Sequence, residues 1–449
     1  MAAFQGFSPP AFLAALGAGL QQSRDLTSNA EAAKILELAT VVVDSAHVAE
    51  ISAYANEHPE LPASVLAAVK NAASFHALQQ VPAPFHLTVL FPMYHEQNRA
   101  RPKSEHPNGQ DLVRNKVLQL EWLFGASAGS SWDLVACDDG CDQGSSDVVR
   151  GIIEQAGLGG KVQVIHLQAA IDGKIPMFAP LRTCKDSRKG GAVLFGLYHT
   201  AQRLRADRPH LVIYTDSDLS SDLAMSGLLV SLCLVDGHRI GAGVRYGYPG
   251  SFLVKNHGAE GHPESHLRKP DCVHVTVRHF VRGRLLPHIR HLYDTNCGFK
   301  CWRVADLKAL LPKMTIFGPA FDMQLLLHAV RHYRAAGCGG GTSVIGVAPI
   351  LFVEDFAESN FTSNSTDPDA SAKSFLRMAK EICEMAGEFT PPEDLSEEAL
   401  ELRRVVLGLD LEQYKASVAR IESTLGRSLL FDAEIPLSVF ATRRPSVGG

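Results

Sequence analysis

The chain has 449 residues, 46% hydrophobic and 20% charged, with 43 basic and 48 acidic residues for a net charge of −5. This is ordinary globular usage, with enough chain for a large core and more than one domain. It excludes a global electrostatic pull toward nucleic acid, so any anion site must be local. No apolar run reaches the roughly 18–20 residues of a membrane span; the longest, Ala224 to Val235, falls well short. Phe12 to Leu16 is apolar but has no basic residue before it, which argues against a signal peptide. The 9 cysteines are scattered and odd in number, which reads as reduced thiols in a cytosol rather than a disulfide framework.

Residues 1–84 are rich in Ala and Leu and are predicted to form a helical extension, with Ser28-Asn29-Ala30-Glu31 as a capping signal. Pro62, Pro82 and Pro84 punctuate its end. From His86 the pattern becomes strand, helix, strand. Strands are expected at 87–91, 133–137, 162–167 and 210–215, with helices at 110–124 and 190–205 between them and a cap at Ser145 or Ser146. That spacing means βαβ units and a mostly parallel sheet flanked by helices, an α/β domain over residues 85–355. Residues 245–272 read as a long loop, 273–293 as a mixed apolar and basic stretch broken by Pro287, 319–335 as a helix and 343–352 as a late strand. Residues 356–449 form a second helical extension, split by Pro391-Pro392.

Short motifs stand in a fixed order along the domain: Pro92-Met93-Tyr94-His95-Glu96, Asp138-Asp139-Gly140, Arg188-Lys189-Gly190-Gly191-Ala192, Asp216-Ser217-Asp218, Asp294 to Lys300, and Phe321-Asp322. Several follow an apolar run directly, which places carboxylates at the carboxyl ends of parallel strands, where open α/β sheets bind ligands. A pair such as Asp216 and Asp218 can hold Mg²⁺ or Mn²⁺ while diphosphate oxygens complete the shell; standing alone, it would equally be a helix-capping turn. Asp138 and Asp139 can accept hydrogen bonds from a base or a ribose, or simply make an Asp-Gly turn. The glycine pair opening a helix beside Lys189 lets backbone approach a phosphate, yet it lacks the ending of a Walker motif. Cys297, Gly298 and Phe299 could wall a sugar or belong to an ordinary turn with a core aromatic. Asp322 is either a dipole partner at a helix start or a general base. Cys137 and Cys141, and the histidines His257, His262, His266, His274, His279, His288 and His291, match no strong zinc spacing. Arg278, Arg282, Arg284 and Arg290 could hold an anionic acceptor or form a solvated face.

Taken together, these motifs resemble the family 2 glycosyltransferases with the GT-A fold, and within them the dolichyl-phosphate glucosyltransferase and polyprenyl-phosphate glycosyltransferase branch. Phe91-Pro92-Met93-Tyr94-His95-Glu96 is similar to that family's Pro-X-Tyr-Asn-Glu turn, with His95 in place of Asn. Gly243-Val244-Arg245 resembles the Gly-Ser-Arg ending a later strand, and Asp294-Thr295-Asn296-Cys297-Gly298-Phe299-Lys300 closely resembles Asp-Thr-Gln-Cys-Gly-Phe-Lys. The likeness covers roughly residues 85–355 and leaves both helical ends unexplained.

The resemblance implies an inverting, metal-dependent transfer of a hexose, glucose, from a UDP-linked donor. Pro92, Tyr94, Glu96, Asp138, Asp139, Lys189, Arg245, Cys297, Gly298 and Phe299 would bind substrates. Asp216 and Asp218 would hold Mg²⁺ or Mn²⁺, and Asp322 would act as the base. The membrane-spanning helices of many lipid-linked members are absent from this sequence, so a soluble acceptor, anionic in character, is expected in place of a lipid. One alternative is a peripheral polyprenyl-phosphate glucosyltransferase with 273–293 on the membrane surface. Another is a non-catalytic sugar-nucleotide-binding scaffold. A nucleotidyltransferase is disfavoured, because no Gly-rich loop follows the first strand.

Overall fold

The computed structural model describes residues 7–17, 26–187, 189–256, 280–355, 367, 369–425 and 439–440. Arg188, Arg278 and the histidines from His257 to His279 lie outside the described residues. The protein is a mixed α/β structure around a seven-stranded sheet in the order β3-β2-β1-β4-β7-β5-β8. The strands are β1 (His86–Met93), β2 (Ser131–Asp138), β3 (Val162–His166), β4 (His210–Tyr214), β5 (Ile240–Val244), β6 (Phe252–Asn256), β7 (Lys300–Arg303), β8 (Ile345–Pro349) and β9 (Leu351–Asp355). All pairs in the large sheet are parallel except those of β7, which runs antiparallel to both β4 and β5. β6 and β9 form a separate parallel pair.

The strand order places a topological switch beside β1. The chain steps from β1 outward to β2 and β3, then returns to lay β4 on the other side of β1. Crossover loops leave in opposite directions there, opening a crevice at the carboxyl ends of β1 and β4. The segments Tyr94–Glu96 and Asp216–Asp218 follow those two ends directly.

Side chains alternate along each central strand between two apolar layers. Leu87, Val89, Phe91, Leu211 and Ile213 join a core that includes Ile35, Ile51 and Val69 of the N-terminal helices Asn29–Asp44, Val48–Glu57 and Ala63–Gln79. Leu90, Val212 and Tyr214 join the other, with Met378, Ile382 and Leu402 from the C-terminal helices Ala370–Phe389 and Glu397–Gly408. Truncating a buried Ile or Met to Ala costs about 2–5 kcal/mol, so both helical ends complete the layers of the sheet. Ser28 caps Asn29–Asp44 by accepting from the Glu31 amide at 3.3 Å, as its sequence context predicts.

Three details differ from expectation. Residues 343–352 are not one strand. β8 pairs with β5, and the chain then enters β9 in the small sheet. Past Pro349, Ile350 still donates to the Val244 carbonyl at 3.1 Å before the chain turns into β9. The loop expected at 245–272 contains β6. Helix Ser145–Gln155 follows Gly144 in a left-handed conformation, and no side-chain cap is made by Ser145 or Ser146.

Candidate functional site

β1 delivers Pro92 as a buried strand residue and then turns outward. The turn is strained: His95 has φ 58°, a region that costs a non-glycine residue about 1–3 kcal/mol. Tyr94, 37% exposed, stacks on the His95 ring at 4.0 Å between centroids. Glu96 is buried, and its carboxylate receives Arg99 Nε at 2.7 Å and Arg99 Nη2 at 2.9 Å. The same guanidinium reaches Asp218 Oδ2 at 3.1 Å, so one arginine joins the turn after β1 to the turn after β4. Burial raises the Glu96 carboxyl and outweighs Arg99.

The two aspartates after β2 have different work. Asp138 is spent on its own turn: Oδ1 accepts from the Gly140 and Cys141 amides at 2.8 and 2.7 Å, and Oδ2 accepts from the Ser146 hydroxyl. Gly140 has φ 82°, and a Cβ there would collide with the Cys184 side chain, so the turn requires glycine. Asp139 instead reaches across the crevice, where its Oδ2 accepts from the Lys189 amide at 2.8 Å. Its Oδ1 is buried with no hydrogen-bond partner among the described residues. Burial pushes the Asp139 carboxyl up to about 6, against the Ser187 hydroxyl and the Lys189 amide.

Lys189 precedes helix Gly190–Gln202 with φ 79° and ψ −43°, another strained non-glycine. Its ammonium pairs with Asp216 Oδ1, and its side chain is 44% exposed. Burial works to raise the Asp216 carboxyl, but the Lys189 charge and hydrogen bond hold it below the usual range. Asp218 Oδ1 accepts from the Ser220 amide at 3.2 Å and from the Ser220 hydroxyl. Asp216 and Asp218 keep 21% and 18% of their side chains exposed, so the pair opens to the crevice while most of its surroundings are closed.

The segment 294–300 packs under this pair. A Cβ on Gly298 would stand 3.0 Å from Asp216 Oδ1 and 3.1 Å from Oδ2, so the bare glycine leaves that face of the carboxylate free. Cys297 and Phe299 are fully buried. Phe299 belongs to the core, and its carbonyl accepts from the Gly243 amide at 2.8 Å. Both side chains therefore pack inward and line no sugar pocket. Arg245 forks onto Asp294, Nε to Oδ2 at 2.7 Å and Nη2 to Oδ1 at 2.8 Å. That commits its charge to holding 294–300 against the end of β5. Asp322 is buried at the start of helix Phe321–Ala335, with Lys300 Nζ 3.3 Å from Oδ2 and Asn296 Nδ2 3.4 Å from Oδ1.

Both helical ends reach the site. Asn71 of helix Ala63–Gln79 donates to Asp222 at 2.7 Å, just beyond the Asp216–Asp218 turn. Glu381 of helix Ala370–Phe389 accepts from the Ala320 amide at 3.2 Å, two residues before Asp322.

Sequence reasoning passed over Arg99, Gln110 and Lys116, and took Ser146 for a helix cap where it donates to Asp138. Arg99 stands one helical turn after Glu96. Lys116 lies between Leu112, Val113 and Leu120 at i±3 and i±4, on the apolar face of helix Leu112–Phe124. A lysine on that apolar face is an irregularity the sequence offers, and the structure buries it fully. Burial pushes its ammonium down to about 8, against Asp218, Asp216, Glu96 and Asp222.

Among the described residues, no three His, Cys, Asp or Glu side chains converge on a metal position. An ion between Asp216 and Asp218 would therefore take further ligands from elsewhere. The donor chemistry suits a hard ion: paired carboxylates, partly exposed, of the kind that bind Mg²⁺ or Mn²⁺ with substrate phosphates. In the described part of 273–293, Phe280, Leu285, Leu286, Ile289 and Leu292 are buried in the core, and Arg282 donates to the Ile289 carbonyl at 2.6 Å. No helix among the described residues is long and apolar enough to cross a membrane.

No protein-family model and no curated protein matches the chain. Among solved structures, it is similar to glucosyl-3-phosphoglycerate synthase from Mycobacterium tuberculosis in complex with Mn²⁺, UDP-glucose and phosphoglyceric acid, at 14% identity, covering 70% of this chain and 84% of that one with a TM-score of 0.43. It is also similar to mannosyl-3-phosphoglycerate synthase from Rubrobacter xylanophilus, at 12% identity, covering 72% and 80% with a TM-score of 0.41. Likenesses this distant assign no activity to the chain.

Proposed function

We propose that the protein is an inverting, metal-dependent glycosyltransferase of the GT-A type, moving a hexose, glucose, from a UDP-linked donor to a soluble, anionic acceptor. The observation that carries this reading is the meeting, at the switch beside β1, of Asp139, Lys189 and Asp216 on one line of contacts, with Asp218 two residues on, tied to Asp216 by Lys116 through both backbone carbonyls. Paired carboxylates at a strand end, with a lysine beside them, suit a divalent ion and a diphosphate together. A nucleoside diphosphate sugar uses all of them.

In this reading Tyr94 and Asp139 take the nucleoside, and the unsatisfied Asp139 Oδ1 accepts from a ribose hydroxyl or a base N–H. Lys189 moves its ammonium from Asp216 to the diphosphate. Asp216 and Asp218 hold Mg²⁺ or Mn²⁺, which when bound neutralises the charge gathering on the departing diphosphate. Asp138, Arg245, Cys297, Gly298 and Phe299 hold these groups in place from behind. Asp322, fixed by Asn296 and Lys300, takes the proton from an acceptor hydroxyl as its oxygen attacks the anomeric carbon. The bond from that carbon to the diphosphate oxygen breaks in the same step, on the opposite face, which inverts the centre.

The test is hydrolysis across a panel of nucleotide sugars with Mn²⁺, Mg²⁺ or EDTA, followed by NMR of the released sugar. The expected result is slow, metal-dependent release from one UDP-hexose with inverted anomeric configuration. Release that is unaffected by EDTA, or retained configuration, would refute the proposal.

A further inference from the structure

The Asp216–Asp218 turn is gripped from beneath by one helix and its lead-in. Lys116 Nζ donates to the Asp216 carbonyl at 3.2 Å and to the Asp218 carbonyl at 2.9 Å. Gln110 Oε1 accepts from the Leu219 amide at 3.0 Å, and Gln119 Oε1 accepts from the Leu223 amide at 3.0 Å. The lead-in is itself fixed: Asp111 has φ 45°, and Asn115 Nδ2 donates to the Gln110 carbonyl at 2.6 Å. Among the described residues Lys116 bonds to both aspartates, and it does so through their backbone carbonyls, using neither carboxylate.

A helix interior offers a turn few ways to be held so closely. A buried ammonium costs several kcal/mol in desolvation, and a neutral residue would fill the same space without that cost. What the ammonium supplies is a donor able to serve two carbonyls at once, which fixes the spacing of the residues on either side of Ser217. It stands among Glu96, Asp218, Asp216 and Asp222, and Arg99 pairs with Glu96 and Asp218 beside it.

We propose that Lys116 is a positioning residue that sets the geometry of the Asp216–Asp218 pair for a divalent ion. This rests on the reading of that pair as the metal ligands. Supporting residues of this kind typically govern about 10–100-fold in metal affinity.

The test measures free Mn²⁺ by EPR during titration of the full chain in the presence of UDP, with no turnover involved. Wild type, Lys116→Met, Lys116→Gln and the control Gln119→Ala are compared, with folding checked by circular dichroism. The expected result is that a folded Lys116 variant binds Mn²⁺ about 10-fold or more weakly, while UDP affinity in EDTA changes little. Gln119→Ala, whose bond reaches no aspartate of the pair, lowers the melting temperature and keeps Mn²⁺ affinity. A folded Lys116 variant with wild-type Mn²⁺ affinity would overturn the proposal. Wild type that binds no Mn²⁺ would instead overturn the metal-ligand reading, and the positioning role with it.

Discussion

Asp139 offers a prediction in which stability and function pull in opposite directions. Its carboxyl is pushed up to about 6 in the folded chain, from an ordinary value of 3.8, mainly by burial. A raised carboxyl binds its proton more tightly folded than unfolded, so ionisation penalises folding as pH rises from 3.8 through 6. A shift of roughly 2 units corresponds to about 3 kcal/mol at pH 7.5 and under about 1 kcal/mol at pH 4. Asp139→Asn removes the ionisation and keeps an oxygen for the Lys189 amide. The variant is therefore expected to be more stable than wild type at pH 7.5 by up to about 3 kcal/mol, with the difference nearly gone at pH 4. Urea unfolding of both proteins at the two pH values measures it. The cost appears in binding: losing a charged acceptor is worth about 1.5–3 kcal/mol, so UDP binding is expected to weaken about 10-fold or more. A stability difference independent of pH would refute the reasoning about burial, whatever happens to binding.

Other consequences follow from the same contacts. Asp216→Asn removes the partner of Lys189 and one proposed metal ligand, so metal-dependent turnover is expected to fall by at least about 100-fold, as for losing a charge-stabilising group, with circular dichroism unchanged; retained turnover would exclude Asp216 as a ligand. Gly298→Ala places a Cβ 3.0 Å from Asp216 Oδ1, so the carboxylate must shift by a few tenths of an ångström, and a rise in the Mn²⁺ activation constant with little change in melting temperature is expected. At the opposite end of the sheet, His210 is held down to about 4 by burial and by His86. It is neutral when folded, so the stability it confers is complete above 6.5 and is lost as pH falls toward 4, to a limit of about 3 kcal/mol; His210→Gln is expected to flatten that part of the urea-unfolding profile.

Strands β1, β2 and β4 were legible because each is a compact apolar run closed by an acidic turn, and the same turns named the crevice residues. The antiparallel strand β7 was not, because Lys300-Cys301-Trp302-Arg303 carries two cations. Its lysine is buried only through Asp322 and the Cys297 carbonyl, partners distant in sequence or on the backbone. Lys116 escaped for the same reason, since a helix pattern gives no sign that a lysine on an apolar face has carbonyls waiting for it. In the motif 294–300, Gly298 lies against the Asp216 carboxylate and Asp294 pairs with Arg245, while the aromatic is in the core. Asp138 and Asp139 look alike in sequence, yet one closes its own turn and the other holds the Lys189 amide, a division set by Ser146 and Lys189 from other elements. The helical ends gave no site signal, because Asn71 and Glu381 act through single hydrogen bonds onto residues far along the chain.

The most direct test of the metal-dependent donor site is calorimetric titration of UDP-glucose into the full chain with Mn²⁺ and with EDTA, repeated on the Asp216→Asn, Asp218→Asn double variant. The expected result is binding by wild type that strengthens with Mn²⁺, and loss of that metal-dependent gain in a folded double variant. Equal binding by both proteins in Mn²⁺ would contradict a donor site built on Asp216 and Asp218.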